Sequence, residues 1–169
     1  MKNLLITFFT VLFCLTSSVG WSEMVDDLVE WGGNYYQKVT LIPFTGKLTG
    51  SEQGSIKNGK REGTWVGYYD NGQLWYKGDY NDSVEKSKNG DKDGTWVHYW
   101  KNGQLRIKYN YKNDKFERAF VSYHENGQLN GKGNYKNGKE EGAWVVYHED
   151  GTVWLKFTGT FQDGVNIND

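Results

Sequence analysis

Cysteine is almost missing from this chain: Cys14 stands alone among 169 residues. It lies inside an apolar stretch, Leu4 to Leu15, that follows the single positive charge of Met1-Lys2-Asn3 and precedes the small residues Thr16-Ser17-Ser18-Val19-Gly20. That is the shape of a signal peptide. The stretch is about a dozen residues, against the roughly 20 that a membrane-spanning helix requires, and no other long apolar run exists. Residues 1–22 are therefore expected to be removed on export, by a cut before Trp21 or before Glu23, leaving a periplasmic or secreted chain without cysteine. Disulfides, thiol catalysis and cysteine-ligated zinc are excluded for such a chain. Lipid attachment at Cys14 is disfavoured, because the bulky Phe13 precedes it. A basic excess is also lacking, with 20 Lys plus Arg against 21 Asp plus Glu, so no nucleic-acid partner is expected. Proline occurs once.

Glycine and aromatic residues are what the chain has instead: 22 glycines and 17% Phe, Trp and Tyr, a strand-and-turn composition. From Gly63 the sequence repeats. Gly63-Thr64-Trp65-Val66-Gly67-Tyr68-Tyr69-Asp70-Asn71-Gly72-Gln73-Leu74 returns as Gly94 to Leu105, again as Arg118 to Leu129, and again as Gly142 to Val153. Tyr68, Tyr99, Tyr123 and Tyr147 follow at intervals of 31, 24 and 24 residues, and the long interval holds an insertion over residues 81–87. Residues 57–169 form the array, and residues 23–56 are read as a degenerate capping unit at its start, as repeat arrays require.

Two Asn-Gly or Asp-Gly turns per unit, separated by strand-length alternating segments, predict consecutive hairpins. A two-residue loop at Asn71-Gly72 would pair Tyr69 with Leu74, Gly67 with Tyr76 and Trp65 with Gly78. One face would then carry Trp65, Tyr69, Leu74, Tyr76 and Tyr80, continuing through Trp96, Trp100, Leu105, Ile107 and Tyr109, then Phe120, Leu129 and Tyr135, and finally Trp144, Val146, Val153, Leu155 and Phe157. The other face would carry Val66, Tyr68, Trp75 and Lys77 and their equivalents. A three-residue loop with a glycine bulge would instead slip the partners by one.

The unit Gly-x-Trp-x-x-Tyr-x-x-Asn-Gly-Gln-Leu, followed by Lys-Gly-x-Tyr and Lys-Asn-Gly-Lys, resembles the bacterial variant of the MORN repeat. Residues 44–164 carry it, with Arg118, Phe120, Asn113-Asp114 and Asp150-Gly151-Thr152-Val153 as departures. The resemblance implies an all-β fold: an elongated single-layer antiparallel sheet of tandem hairpins with a period of about 24 residues. Proteins of this look are often labelled YwqK-type antitoxins, and MORN arrays are described as scaffolds or lipid binders; a cytoplasmic antitoxin would conflict with the export signal.

No catalytic constellation accompanies the repeat. A Gly-x-Ser-x-Gly elbow is missing, and His98, His124 and His148 fall in repeat columns whose members lie on the order of 9.5 Å apart, too far to share a zinc ion. No cofactor and no enzymatic activity are expected. The candidate binding face is the amphipathic one: Tyr68, Trp75, Lys77, Tyr99, Arg106, Lys108, Tyr123, Lys132, Tyr147, Trp154 and Lys156. Its rings and cations suit a protein partner first, with an envelope glycan or anionic lipid as alternatives.

Overall fold

The protein, seen in a computed structural model, is described over residues 22–24, 27–38, 40–81 and 91–168. The expected signal peptide, apart from Ser22, and most of the 81–87 insertion lie outside those residues. The strands are β1 (Ser22–Met24), β2 (Leu28–Trp31), β3 (Asn34–Gln37), β4 (Gly46–Thr49), β5 (Glu52–Lys57), β6 (Lys60–Tyr68), β7 (Leu74–Asn81) and β8 (Asp91–Tyr99). They continue as β9 (Leu105–Lys112), β10 (Lys115–Phe116), β11 (Arg118–Tyr123), β12 (Leu129–Lys136), β13 (Lys139–Val146), β14 (Gly159–Gln162) and β15 (Val165–Asn166). From β4 to β15 the strands lie side by side in chain order, with β10 as a spur on β9. Every pair along this run is antiparallel, while β1 adds to β4 in parallel. This is the single-layer sheet of hairpins that the repeat predicts.

Two kinds of turn alternate along it. Asn58-Gly59 and Asn137-Gly138 have positive φ at both residues, the two-residue loop whose twist matches its strands, and they close Lys57 on Lys60 and Lys136 on Lys139. Asn71-Gly72 is different. Only Gly72 has positive φ, the Gly72 N–H donates to Tyr69 O, and the Tyr69 N–H donates to Gln73 O, so the loop has three residues. The same bonds recur at Trp100/Gln104 and His124/Gln128.

A glycine with positive φ opens three of the units, at Gly63, Gly94 and Gly142, and Arg118 occupies that position in the third with φ +63. A side chain there stands close to the backbone, a cost that glycine avoids. Arg118→Gly should therefore raise stability by roughly 0.5–1 kcal/mol, after the entropy of a more flexible unfolded chain is subtracted. The urea midpoint is the measurement, and a lower midpoint would mean that Arg118 holds an interaction worth more than its strain.

Large rings cover glycine on the neighbouring strand. A Cβ at Gly54 would fall within the Trp65 indole, one at Gly78 within Trp96, and one at Gly133 within Trp144. In the second unit the glycine column holds Tyr109, and the ring opposite is the smaller Phe120 rather than Trp. Each indole also donates to a carbonyl of that neighbouring strand: Trp65 to Ser55, Trp96 to Asp79 and Trp144 to Asn134. The core is the Trp65 side of the first half of the array, where Leu28, Tyr35 and Phe44 from the β2–β3 region pack with Ile56, Trp65, Tyr76, Trp96 and Tyr109. Residues 28–44 thus supply a partial second layer over one face at one end.

Candidate binding faces

A bulge in each unit decides which residues share a face. Gly67 lies opposite Tyr76, yet the next pair is Tyr68 with Leu74, leaving Trp75 as an extra residue. The same shift leaves Arg106 between His98/Ile107 and Tyr99/Leu105, and Asn130 between Ser122/Gly131 and Tyr123/Leu129. The three-residue loop slips the register by one at the tip, and the bulge returns it, so that Val66 still faces Lys77 and Trp65 still faces Gly78. The two-residue turn expected at Asn71-Gly72 gives way to the three-residue alternative, while the pairings it predicted away from the tip, Gly67 with Tyr76 and Trp65 with Gly78, hold.

The consequence is an exchange of columns. Leu74, Leu105 and Leu129, expected beside Trp65, pair with Tyr68, Tyr99 and Tyr123 and belong to the opposite face. Val153 follows them through its bridge to Tyr147. Trp75, Arg106 and Trp154 move the other way: Trp75 lies 6.1 Å from Tyr69 and 5.2 Å from Tyr76, the Arg106 guanidinium lies 4.6 Å above Trp100, and Trp154 stacks on His148 at 4.5 Å. Lys156 leaves its column because Leu155–Phe157 form a 3₁₀ turn, in which its ammonium lies over the Phe157 ring. Leu155 and Phe157 are exposed rather than buried as their column predicts.

Tyr68, Lys77, Tyr99, Lys108, Tyr123, Lys132 and Tyr147 therefore stay together on the Val66 face, joined by the leucines. The Tyr–Leu pairs lie half-buried beside a row in which half-buried Val66, Val97, Val121 and Val145 alternate with exposed Lys77, Lys108 and Lys132. Towards the C-terminal end a depression of about 480 Å³ is lined by Ala119, Val121, Lys132, Asn134, Ala143 and Val145 together with Phe120, Gly133 and Trp144. The β2–β3 hairpin lies on the other side of the sheet and leaves this face open.

The Trp65 face holds the polar chemistry that sequence did not reveal. Arg61 lies 4.2 Å from the Trp65 ring and donates to Glu52 Oε2 at 2.7 Å and to the Tyr35 hydroxyl at 2.6 Å. Tyr76 donates to the other Glu52 oxygen at 2.8 Å. Burial raises the Tyr76 hydroxyl, and the Glu52 carboxylate it bonds raises it further, so it stays protonated. No periodic signal marks this group, because Tyr35 and Glu52 precede the regular units.

His98 stands where the first unit has Gly67, and it stacks on Tyr109 with its Nε2 2.7 Å from that hydroxyl. Burial pushes its pKa down to about 4, helped by Lys92 and Arg106. The folded state thus binds this proton more weakly than the unfolded chain does. His98 should cost stability progressively as the pH falls from about 6.5 to about 4, with no further change from this group below that. Urea midpoints across that range should slope less for His98→Gln than for the parent; parallel slopes would show that other groups set the pH dependence.

The MORN repeat variant family matches residues 61–82, 92–113 and 119–137. The three windows fall on the hairpins β6–β7, β8–β9 and β11–β12, which are similar to MORN repeat variants. Such repeats are generally modules that bind proteins or membranes. The fourth unit, where the 3₁₀ turn replaces a strand, lies outside the matched residues. No curated protein matches the chain. Among solved structures, one crystal structure of a GtfA/B complex bound to UDP and GlcNAc is similar, with 15% identity and a TM-score of 0.28 over 74% of this chain and 27% of that one.

Proposed function

We propose that this chain is an exported, non-catalytic module whose Val66 face docks on a protein and holds it along the array. The observation that supports the reading is the set of Tyr–Leu pairs on the face away from β2–β3, beside a row in which Val66, Val97, Val121 and Val145 alternate with Lys77, Lys108 and Lys132. A strip of rings and leucines beside a line of regularly spaced cations suits a protein partner, which would carry an apolar strip with acidic residues spaced along one side of it. Export follows from the amino-terminal segment, and a periplasmic or secreted scaffold needs neither cofactor nor metal.

A photo-crosslinking residue at Tyr99 or Tyr123 of the mature chain, placed in envelope extract, should capture the same discrete protein from both positions. The same probe at Trp75, on the opposite face, should not. Tyr99→Ala with Tyr123→Ala should weaken the captured complex by at least about tenfold, since interface energy concentrates in a few aromatic anchors. Capture from Trp75 alone would refute the reading. Adducts confined to lipid or glycan would replace it with a membrane or glycan module, and binding that collapses on adding salt would mark anionic lipid.

A further inference from the structure

The columns that the bulge moves onto the Trp65 face form a second surface, separate from the proposed protein interface. In each unit the residue at the bulge lies against the ring that opens the turn. Trp75 lies against Tyr69, Arg106 over Trp100, the Asn130 amide 3.1 Å from His124 Nε2, and Trp154 flat on His148. The turn rings are pinned to the next unit. The Tyr69 hydroxyl donates to Tyr99 O at 2.8 Å, the Trp100 indole donates to Tyr123 O at 3.1 Å, and His124 Nε2 lies 3.0 Å from Tyr147 O. Rings fixed in this way repeat every two strands, about 9.5 Å apart along the sheet.

Between the second and third rungs lies an open depression of about 360 Å³, lined by Trp100, Arg106, Phe120, Ser122, His124 and Asn130 among others. An aromatic floor edged by a guanidinium, a hydroxyl, an imidazole and an amide is the chemistry that grips a sugar: the apolar face of a pyranose rests on the rings and its hydroxyls meet the polar edge. Arg106 has no acidic partner among the described residues, which leaves its cation for a ligand. Glu149 lies 3.9 Å from His124 Nδ1 at the far edge of the depression's lining. The outer rungs stay accessible, with Trp75 39% and Trp154 40% exposed.

The geometry points to a binding site for an extended β-linked polysaccharide that carries carboxylates, laid across the strands along this ladder with an acidic sugar beside Arg106. A pyranose in such a chain advances by about one inter-strand spacing, so two sugars span one unit and the ligand stays in step with the rungs. Charge-assisted bonds from the guanidinium would select the acidic sugar, and the stacked rings would hold neutral neighbours without selecting among them.

Calorimetric titration of the mature chain tests this with two probes: hyaluronan octasaccharide, β-linked with a carboxylate on every second sugar, and the uncharged, fully N-acetylated chitohexaose. Hyaluronan should bind at least about tenfold more tightly, and Arg106→Gln should remove that preference while leaving binding of the N-acetylated probe unchanged. Trp75→Ala with Trp154→Ala should weaken both probes by roughly tenfold, whereas Tyr99→Ala on the opposite face should alter neither. Trp75, Arg106 and Trp154 are exposed and Tyr99 half-buried, so thermal melts should show each variant still folded at the titration temperature. Failure of both probes to bind at millimolar concentration overturns the site. So does binding that the ladder variants leave intact or that Tyr99→Ala abolishes. The protein-capture result on the Val66 face is independent of each of these outcomes.

Discussion

Trp65→Ala is expected to cost about 3–5 kcal/mol of folding stability, the range for deleting a fully buried large ring. Trp65 has no exposed surface, lies over Gly54, donates to Ser55 O and supports the Arg61 guanidinium, so its removal leaves a cavity with an unpaired carbonyl and a loosened cation on its walls. Trp75→Ala should cost less than about 1 kcal/mol, because that ring is 39% exposed and its neighbours Tyr69 and Tyr76 are held by other contacts. Chemical denaturation of the two variants measures the difference. Equal midpoints would mean that the ring column over glycine is not what holds the hairpins in register.

The Arg61 group should show the second large effect. Arg61→Met removes the cation while the Glu52 carboxylate and the Tyr35 hydroxyl remain in a half-buried setting, which should cost about 3 kcal/mol. Adding Glu52→Gln should recover much of that loss, since no uncompensated charge then remains and Tyr76 keeps an acceptor. The distinguishing result is the double variant. If it is no more stable than Arg61→Met alone, the guanidinium acts by packing on Trp65 rather than by neutralising Glu52.

The repeat made much of this fold legible, because a hairpin turn at fixed spacing constrains the strands on either side of it. The pairings of Trp65 with Gly78 and Gly67 with Tyr76 follow from sequence. The ring over Gly78 is Trp96 from the next hairpin rather than Trp65, since an indole reaches across to the adjoining strand. The tip of each hairpin was not legible. A three-residue loop and a bulge cancel over most of the strand, and alternation alone cannot register two offsets of opposite sense. Leu74 and Trp75 therefore exchange faces, and with them Leu105 and Arg106. The Arg61 group was hidden for another reason: its partners Tyr35 and Glu52 come from segments outside the regular units, and only the packing of residues 28–44 on the sheet brings them together.

Both proposed surfaces rest on that exchange of columns, and nuclear Overhauser contacts measured on residues 23–169 test it directly. The protein should show contacts from the Tyr99 ring to the Leu105 methyl groups and from the Trp100 ring to the Arg106 side chain, with the parallel set from Tyr68 to Leu74 and from Tyr69 to Trp75. Contacts from Trp100 to Leu105 and from Tyr69 to Leu74, with Trp75 placed beside Tyr68, would contradict it and return every hairpin to an unbulged two-residue turn.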